Sequence, residues 1–288
     1  MQIIKKTDLS VDELEHIREM INYNNMINHS NLDISIDNSF NYSKDIITNF
    51  LAYKSDKLVG YANVFAPSNE AFEVQSMVLK DYERIRINTK LIESIKSEAS
   101  IYKPKEILLV CDESSESGMS YIEKVRASYR HSEYFMKLIK DYVPSFEAYE
   151  ENLTVKKAKL KDLEDYIEAS KRIYDSSITN LRERFSVLFE KDDRKFYILY
   201  ENNIAVGIGS IIIENEKHML YGFGISSEKR GKGYSKYFLN KIIETTMKEA
   251  SDSIYLEVDS TNNIAYNLYK HNGFNELKKI SYFRLEYK

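Results

Sequence analysis

The stretch Ile225-Ser226-Ser227-Glu228-Lys229-Arg230-Gly231-Lys232-Gly233-Tyr234-Ser235 joins the strand-like run HMLYGFGI (218–225) to a helical period that begins at Gly233. Its glycines let the backbone turn so that N–H groups converge, the helix start adds partial positive charge, and Arg230 and Lys232 add formal charge. Such a strand–turn–helix junction suits a pyrophosphate. From 233 to 250, Phe238, Leu239, Ile242, Ile243 and Met247 recur at three- and four-residue steps, which is the buried face of an amphipathic helix. Upstream, Leu163, Ile167 and Tyr174 keep near-helical spacing, and FYILYE (196–201) and IAVGIGSIII (204–213) flank Asn202-Asn203, so that with 218–225 they read as a β-meander. Downstream come a strand, IYLEV (254–258), and a short helix over 262–271 ended by Asn272-Gly273, where glycine takes the left-handed cap. Two short strands are expected to close the chain.

The same pattern occurs 147 residues earlier. KSDKLVGYANV (54–64) lies on ENNIAVGIGSI (201–211), Gly60 on Gly207, the helix residues Leu91, Ile92 and Ile95 on Phe238, Leu239 and Ile242, and ILLVCD (107–112) on IYLEVD (254–259). A constant offset over alternating strand and helix patterns means two copies of one fold. Ser10 and Glu13 form a capping box ahead of Leu14, Ile17 and Ile21. The expected organisation is a first domain over 1–143, a linker over 144–152 containing Pro144, and a second domain over 153–288.

A net charge of −4 with a pI near 5.9 gives no basic excess for a phosphate backbone, so nucleic acid is a poor partner, as is a membrane surface. No apolar run is long enough to span a bilayer or to serve as a signal peptide, and a cytoplasmic location is expected. Cys111 is alone and the five histidines stand apart, which predicts neither a disulfide nor a metal site. Cys111 itself, following Ile107-Leu108-Leu109-Val110, reads as a core residue.

The loop resembles that of the GCN5-related N-acetyltransferase (GNAT) superfamily, Arg/Gln-x-x-Gly-x-Gly/Ala after a strand, matched by Arg230, Gly233 and Ser235. Downstream, LEVDSTNNIAYNLYKHNGF (256–274) resembles the family's second signature, with Asn262, Ala265, Leu268, Tyr269, Gly273 and Phe274 in place. The resemblance implies two tandem α/β domains, each a mixed, mostly antiparallel central sheet flanked by helices, the second of them catalytic. It implies acetyl-CoA as co-substrate, held by Phe223, Gly224, Ile225, Arg230, Gly231, Lys232, Gly233, Tyr234, Ser235, Asn262 and Tyr269, with a splayed or bulged strand at Phe223–Ile225 offering main-chain donors to the pantetheine arm. Tyr269 is the implied acid toward the departing thiolate. Glu257, which shares a strand face with Tyr255 and Asp259, is the candidate base, following the ribosomal-protein alanine acetyltransferases that this segment resembles. The acceptor is then a small-molecule or peptide amine. Two rivals are a non-catalytic acyl-CoA sensor and an aminoacyl-tRNA-dependent transferase on the same tandem fold. In the first copy Glu83, Arg86 and Asn88 stand for Arg230, Gly233 and Ser235, and Ser115, Ile122 and Arg126 for Asn262, Tyr269 and Gly273. That copy reads as a degenerate partner in an internal pseudo-dimer.

Overall fold

The structure, a computed structural model, describes residues 1–28, 34, 41–146, 152–174, 181–214, 217–249 and 253–286. It divides into two compact units, Met1–Ser132 with Lys279–Lys288, and Glu133–Lys278. These units do not follow the linear division at 144–152: residues 133–143 go with the second copy and the end of the chain with the first.

In the first unit, β1 (Gln2–Lys6), α1 (Val11–Asn28), β2 (Asn49–Lys54), β3 (Lys57–Phe65) and β4 (Ala71–Val78) lead through α2 (Ile87–Tyr102) to β5 (Glu106–Asp112) and α3 (Glu116–Lys124). Strands β1 to β4 pair antiparallel in sequence order, and β4 pairs parallel with β5 over Ala71–Val74. The strand that then flanks β5 comes from the chain's end, with Ile280–Leu285 antiparallel to Asp112–Ile107. Phe50, Leu51, Tyr61, Phe72, Leu91 and Ile95 form a core with no solvent exposure. The capping box is present, since Ser10 N–H donates to the Glu13 carboxylate at 2.8 Å and Glu13 N–H to the Ser10 hydroxyl at 3.3 Å.

The second unit repeats the plan. Its elements are the part of β6 (Ser128–Leu138) from Glu133 on, β7 (Leu153–Ala158), α4 (Leu163–Tyr174), α5 (Leu181–Phe189), β8 (Arg194–Glu201), β9 (Ile204–Glu214), β10 (Lys217–Ile225), α6 (Tyr234–Glu249), β11 (Ile254–Asp259) and α7 (Asn263–His271). Here β11 is flanked by Glu133–Lys137 of β6, a strand that precedes this copy in sequence. The two copies have therefore exchanged their last strands. The closing strand is also continuous, β12 (Phe274–Leu285), where two short ones were expected. No Gly or Pro interrupts 274–285, so nothing ends the ladder. Helix α6 buries Phe238, Leu239, Ile242 and Ile243, each fully buried apolar side chain stabilising by about 2 kcal/mol.

Local chemistry repeats as well. Ser115 caps α3 by accepting from Gly118 N–H, and Asn262 caps α7 by accepting from Ala265 N–H. Arg126 and Gly273, at matching positions, have φ of 54° and 85°. Gly273 is fixed by space too: a Cβ there would stand 2.3 Å from the ring of Tyr142, whose hydroxyl donates to Asn240 at 2.9 Å. Part of the segment before the expected linker is thus built into the second unit, and residues 147–151 of the linker lie outside those described. Among the described residues no helix is long and apolar enough to cross a membrane, and no cluster could hold a metal ion. Burial pushes the Cys111 thiol up to about 12, so it is an unreactive, largely enclosed sulfur.

Candidate functional site

The site is built on a break in β10. Tyr221 opposes Ser210 and Gly224 opposes Ile208, so β10 takes three steps where β9 takes two, a bulge with Gly222 at φ 56°. On its other side β10 pairs with β11 over His218–Leu220 against Ile254–Leu256. Beyond that the strands have different neighbours, Tyr221–Ile225 on β9 and Glu257–Asp259 on β6. The strands therefore diverge at the point where the sequence placed Phe223, Gly224 and Ile225. A Cβ on Gly224 would stand 2.4 Å from the Ile173 side chain, so any other residue there requires that side chain to shift.

The loop follows directly. Ile225 is buried, and Ser226 is locked by its amide and hydroxyl to the Val206 carbonyl at 2.9 and 2.8 Å. A single 3-10 turn, Ser227–Lys229, leads to Gly231 and Gly233 at φ 75° and 78°, and α6 begins at Tyr234. Nothing lies within 4 Å of a Cβ built on Gly231, so the space beside that residue is open. Arg230 does not reach outward from all its nitrogens, since Nε donates to the Ile225 carbonyl at 3.2 Å and braces the turn. Lys232, Gly231 and Gly233 are exposed and Ser235 is half-buried in the first turn of α6. Tyr234 is buried and donates its hydroxyl to Glu201 at 2.5 Å, and Glu201 also pairs with Lys229. Those two partners, Lys229 first, hold the Glu201 carboxyl below the usual range.

Tyr269 lies on the buried face of α7, edge-on to Phe274 at 5.8 Å and 6.3 Å from the ring of Phe223. Burial raises its phenol well above the ordinary value, and the Tyr174 hydroxyl adds to the shift. Tyr174, the last residue of α4 and 46% exposed, is thereby brought to the same strand segment as Tyr269. Sequence reasoning took Tyr174 only as part of a helical stripe. The signal that could have singled out its place is the pair Gly222 and Gly224 inside one strand, which marks a close approach. Glu257 is exposed on β11, opposite Phe135. Asp259 accepts from the amide and hydroxyl of Thr261 at 2.7 and 2.5 Å and so shapes the turn into α7. Asn262 is exposed, with its Oδ1 engaged by Ala265 N–H at 3.1 Å. The arrangement offers an open turn of amides and cations, a bulged strand edge and a buried phenol in sequence along one strand–loop–helix path.

Residues 160–274 match the family model of the acetyltransferase (GNAT) family. This stretch is a GNAT domain. Solved structures similar over the whole chain include a GCN5-related N-acetyltransferase from Sphaerobacter thermophilus, 16% identical over 98% of this chain and 95% of that one, with a TM-score of 0.79. A tandem GNAT protein from the clavulanic acid biosynthesis pathway is 11% identical over 100% and 99% of the chains at a TM-score of 0.74. An acetyltransferase of the GNAT family from Colwellia psychrerythraea is 14% identical over 99% and 100% at 0.70. At these identities the likeness is one of fold. No curated protein matches the sequence. The first unit carries the GNAT fold with a different loop: the 3-10 turn Lys80–Tyr82 leads to Arg84 and Arg86 at φ 62° and 69°, and β4 pairs with β3 without a bulge. Its backbone keeps the positive φ of the turn, with arginines in place of the glycines.

Proposed function

We propose that the second unit transfers the acetyl group of acetyl-CoA to a primary amine by direct attack. What supports this reading most is the order of parts along one path, namely the bulge at Tyr221–Gly224, the open turn at Gly231–Gly233 and the buried Tyr269 beside Phe223. The turn's amides, with Lys232 and the start of α6, suit the pyrophosphate. The edge of β10 beyond the bulge suits the amide-bearing pantetheine arm as an added strand. Both fit one extended molecule.

Attack by the amine forms a C–N bond and moves the carbonyl electrons onto oxygen, where main-chain N–H groups near Ile225 stabilise the charge by about 3 kcal/mol per well-placed donor. Collapse breaks the C–S bond. The leaving thiolate, with a parent pKa of about 8.5, needs a proton, and Tyr269 is held protonated by its burial. Glu257, exposed on the strand that diverges from β10, takes the amine's proton directly or through water. The acceptor is a small-molecule or peptide amine, and the protein acts in the cytoplasm. The test is thiol release from acetyl-CoA against a panel of amino acids, polyamines, aminoglycosides and peptides. Amine-dependent release supports the reading; binding of acetyl-CoA with no release on any amine would favour a sensor instead.

A further inference from the structure

The bulge in β10 has its own support. Ser210 on β9 donates its hydroxyl proton to the Tyr221 carbonyl at 3.0 Å. The Tyr166 hydroxyl lies beside the same bulged residue. A Cβ on Gly222 would stand 3.9 Å from the Ser210 oxygen and 4.0 Å from the Tyr166 oxygen, so both hydroxyls lie directly under the bulged residue. Tyr166 is 2% exposed and sits edge-on to Phe185, Phe189 and Phe196 at 5.1 to 5.4 Å. Within that ring cage the phenol oxygen lies beside the bulge.

The first unit supplies the contrast. The β1–β2 register (Gln2 to Tyr53) and the β7–β8 register (Thr154 to Tyr200) place Leu14 where Tyr166 stands, and the 147-residue offset places Asn63 where Ser210 stands. There β4 runs without a register shift and Asn63 turns to Asn49 and Tyr61. The bulge occurs with the hydroxyl pair and is lacking without it.

We infer that Tyr166 and Ser210 are positioning residues that hold the Tyr221 carbonyl and so set the bulge that presents the Phe223–Ile225 main chain to the pantetheine arm. This rests on the acetyl-CoA reading above. Neither residue touches the reacting atoms; each acts through the backbone of β10.

Calorimetric titration of the full chain with two probes, acetyl-CoA and adenosine 3′,5′-bisphosphate, tests it, because only the first carries a pantetheine arm. Ser210→Ala and Tyr166→Phe should each weaken acetyl-CoA binding roughly tenfold and leave the bisphosphate within about twofold. Ser210→Thr, which keeps the hydroxyl, should bind both probes as the wild type does. Unchanged acetyl-CoA affinity in Ser210→Ala overturns the inference, as does an equal loss of both probes in Ser210→Ala, which would indicate general damage. Wild-type protein that binds neither probe overturns the acetyl-CoA reading and this inference together, so the two failures are distinguishable. Should Tyr166→Phe not fold, the Ser210→Ala and Ser210→Thr pair decides alone.

Discussion

Arg86 and Gly233 hold the same backbone conformation at matching positions of the two copies, with φ of 69° and 78°. The first copy holds this positive φ without a glycine. On the acetyl-CoA reading a side chain at Gly233 would obstruct the pyrophosphate, whereas at Arg86 the chain accepts a left-handed non-glycine residue, which costs roughly 1 kcal/mol. Arg86→Gly is therefore expected to leave the first unit as stable or to raise its stability by up to about 1 kcal/mol, the gain being reduced by the greater freedom of glycine in the unfolded chain. Urea unfolding measures this. A clear destabilisation would mean that the Arg86 side chain holds the loop.

Tyr269→Phe keeps the ring against Phe274 and Phe223 and removes the hydroxyl. Turnover should fall at least roughly tenfold with little change in acetyl-CoA affinity. Because burial raises this phenol, any loss of wild-type rate from its ionisation belongs above the ordinary tyrosine value of about 10. A pH–rate profile for wild type and variant checks both points, and equal turnover with chemistry rate-limiting removes Tyr269 from the mechanism.

His218, at the base of the β10–β11 pairing, is buried with neither ring nitrogen hydrogen-bonded among the described residues. Its pKa is lowered, first by burial and then by the Lys195 ammonium, against a smaller opposing pull from Glu249. The unfolded chain, near 6.5, therefore binds the proton more readily than the folded one. The stability contributed by the neutral ring is complete above that value and is lost as pH falls below it. Melting temperatures of wild type should drop from pH 7 to pH 5, and His218→Leu should flatten that drop. Parallel curves for the two proteins would assign the effect to other groups.

Much of this was legible in the chain. The loop and the helix cap at Asn262 are local patterns, each fixed by residues a few positions apart, and the 147-residue offset shows by direct comparison of two stretches of the chain. Strand exchange was not legible, because FMKL (135–138) and YFRL (282–285) carry the same alternation and either could flank β5 or β11. Tyr166, Ser210 and Tyr174 were missed for a related reason. A tyrosine in a helical stripe and a serine in a strand show their purpose only when the fold brings them to Gly222 and Gly224. The open turn with Arg84 and Arg86 was hidden as well, since residue types that disfavour a positive φ do not forbid it.

The central claim is that acetyl-CoA is bound by the second unit and not the first. Calorimetric titration of the full chain with acetyl-CoA tests it. Glu83, paired with Lys80 at 3.3 Å, stands where Arg230 braces the second loop, and Arg84 and Arg86 carry Cβ atoms where backbone must meet phosphate. The predicted result is one acetyl-CoA per chain, with binding abolished by Gly233→Val and unaffected by Arg86→Gly. A stoichiometry of two, or full affinity retained in a folded Gly233→Val protein, would contradict it.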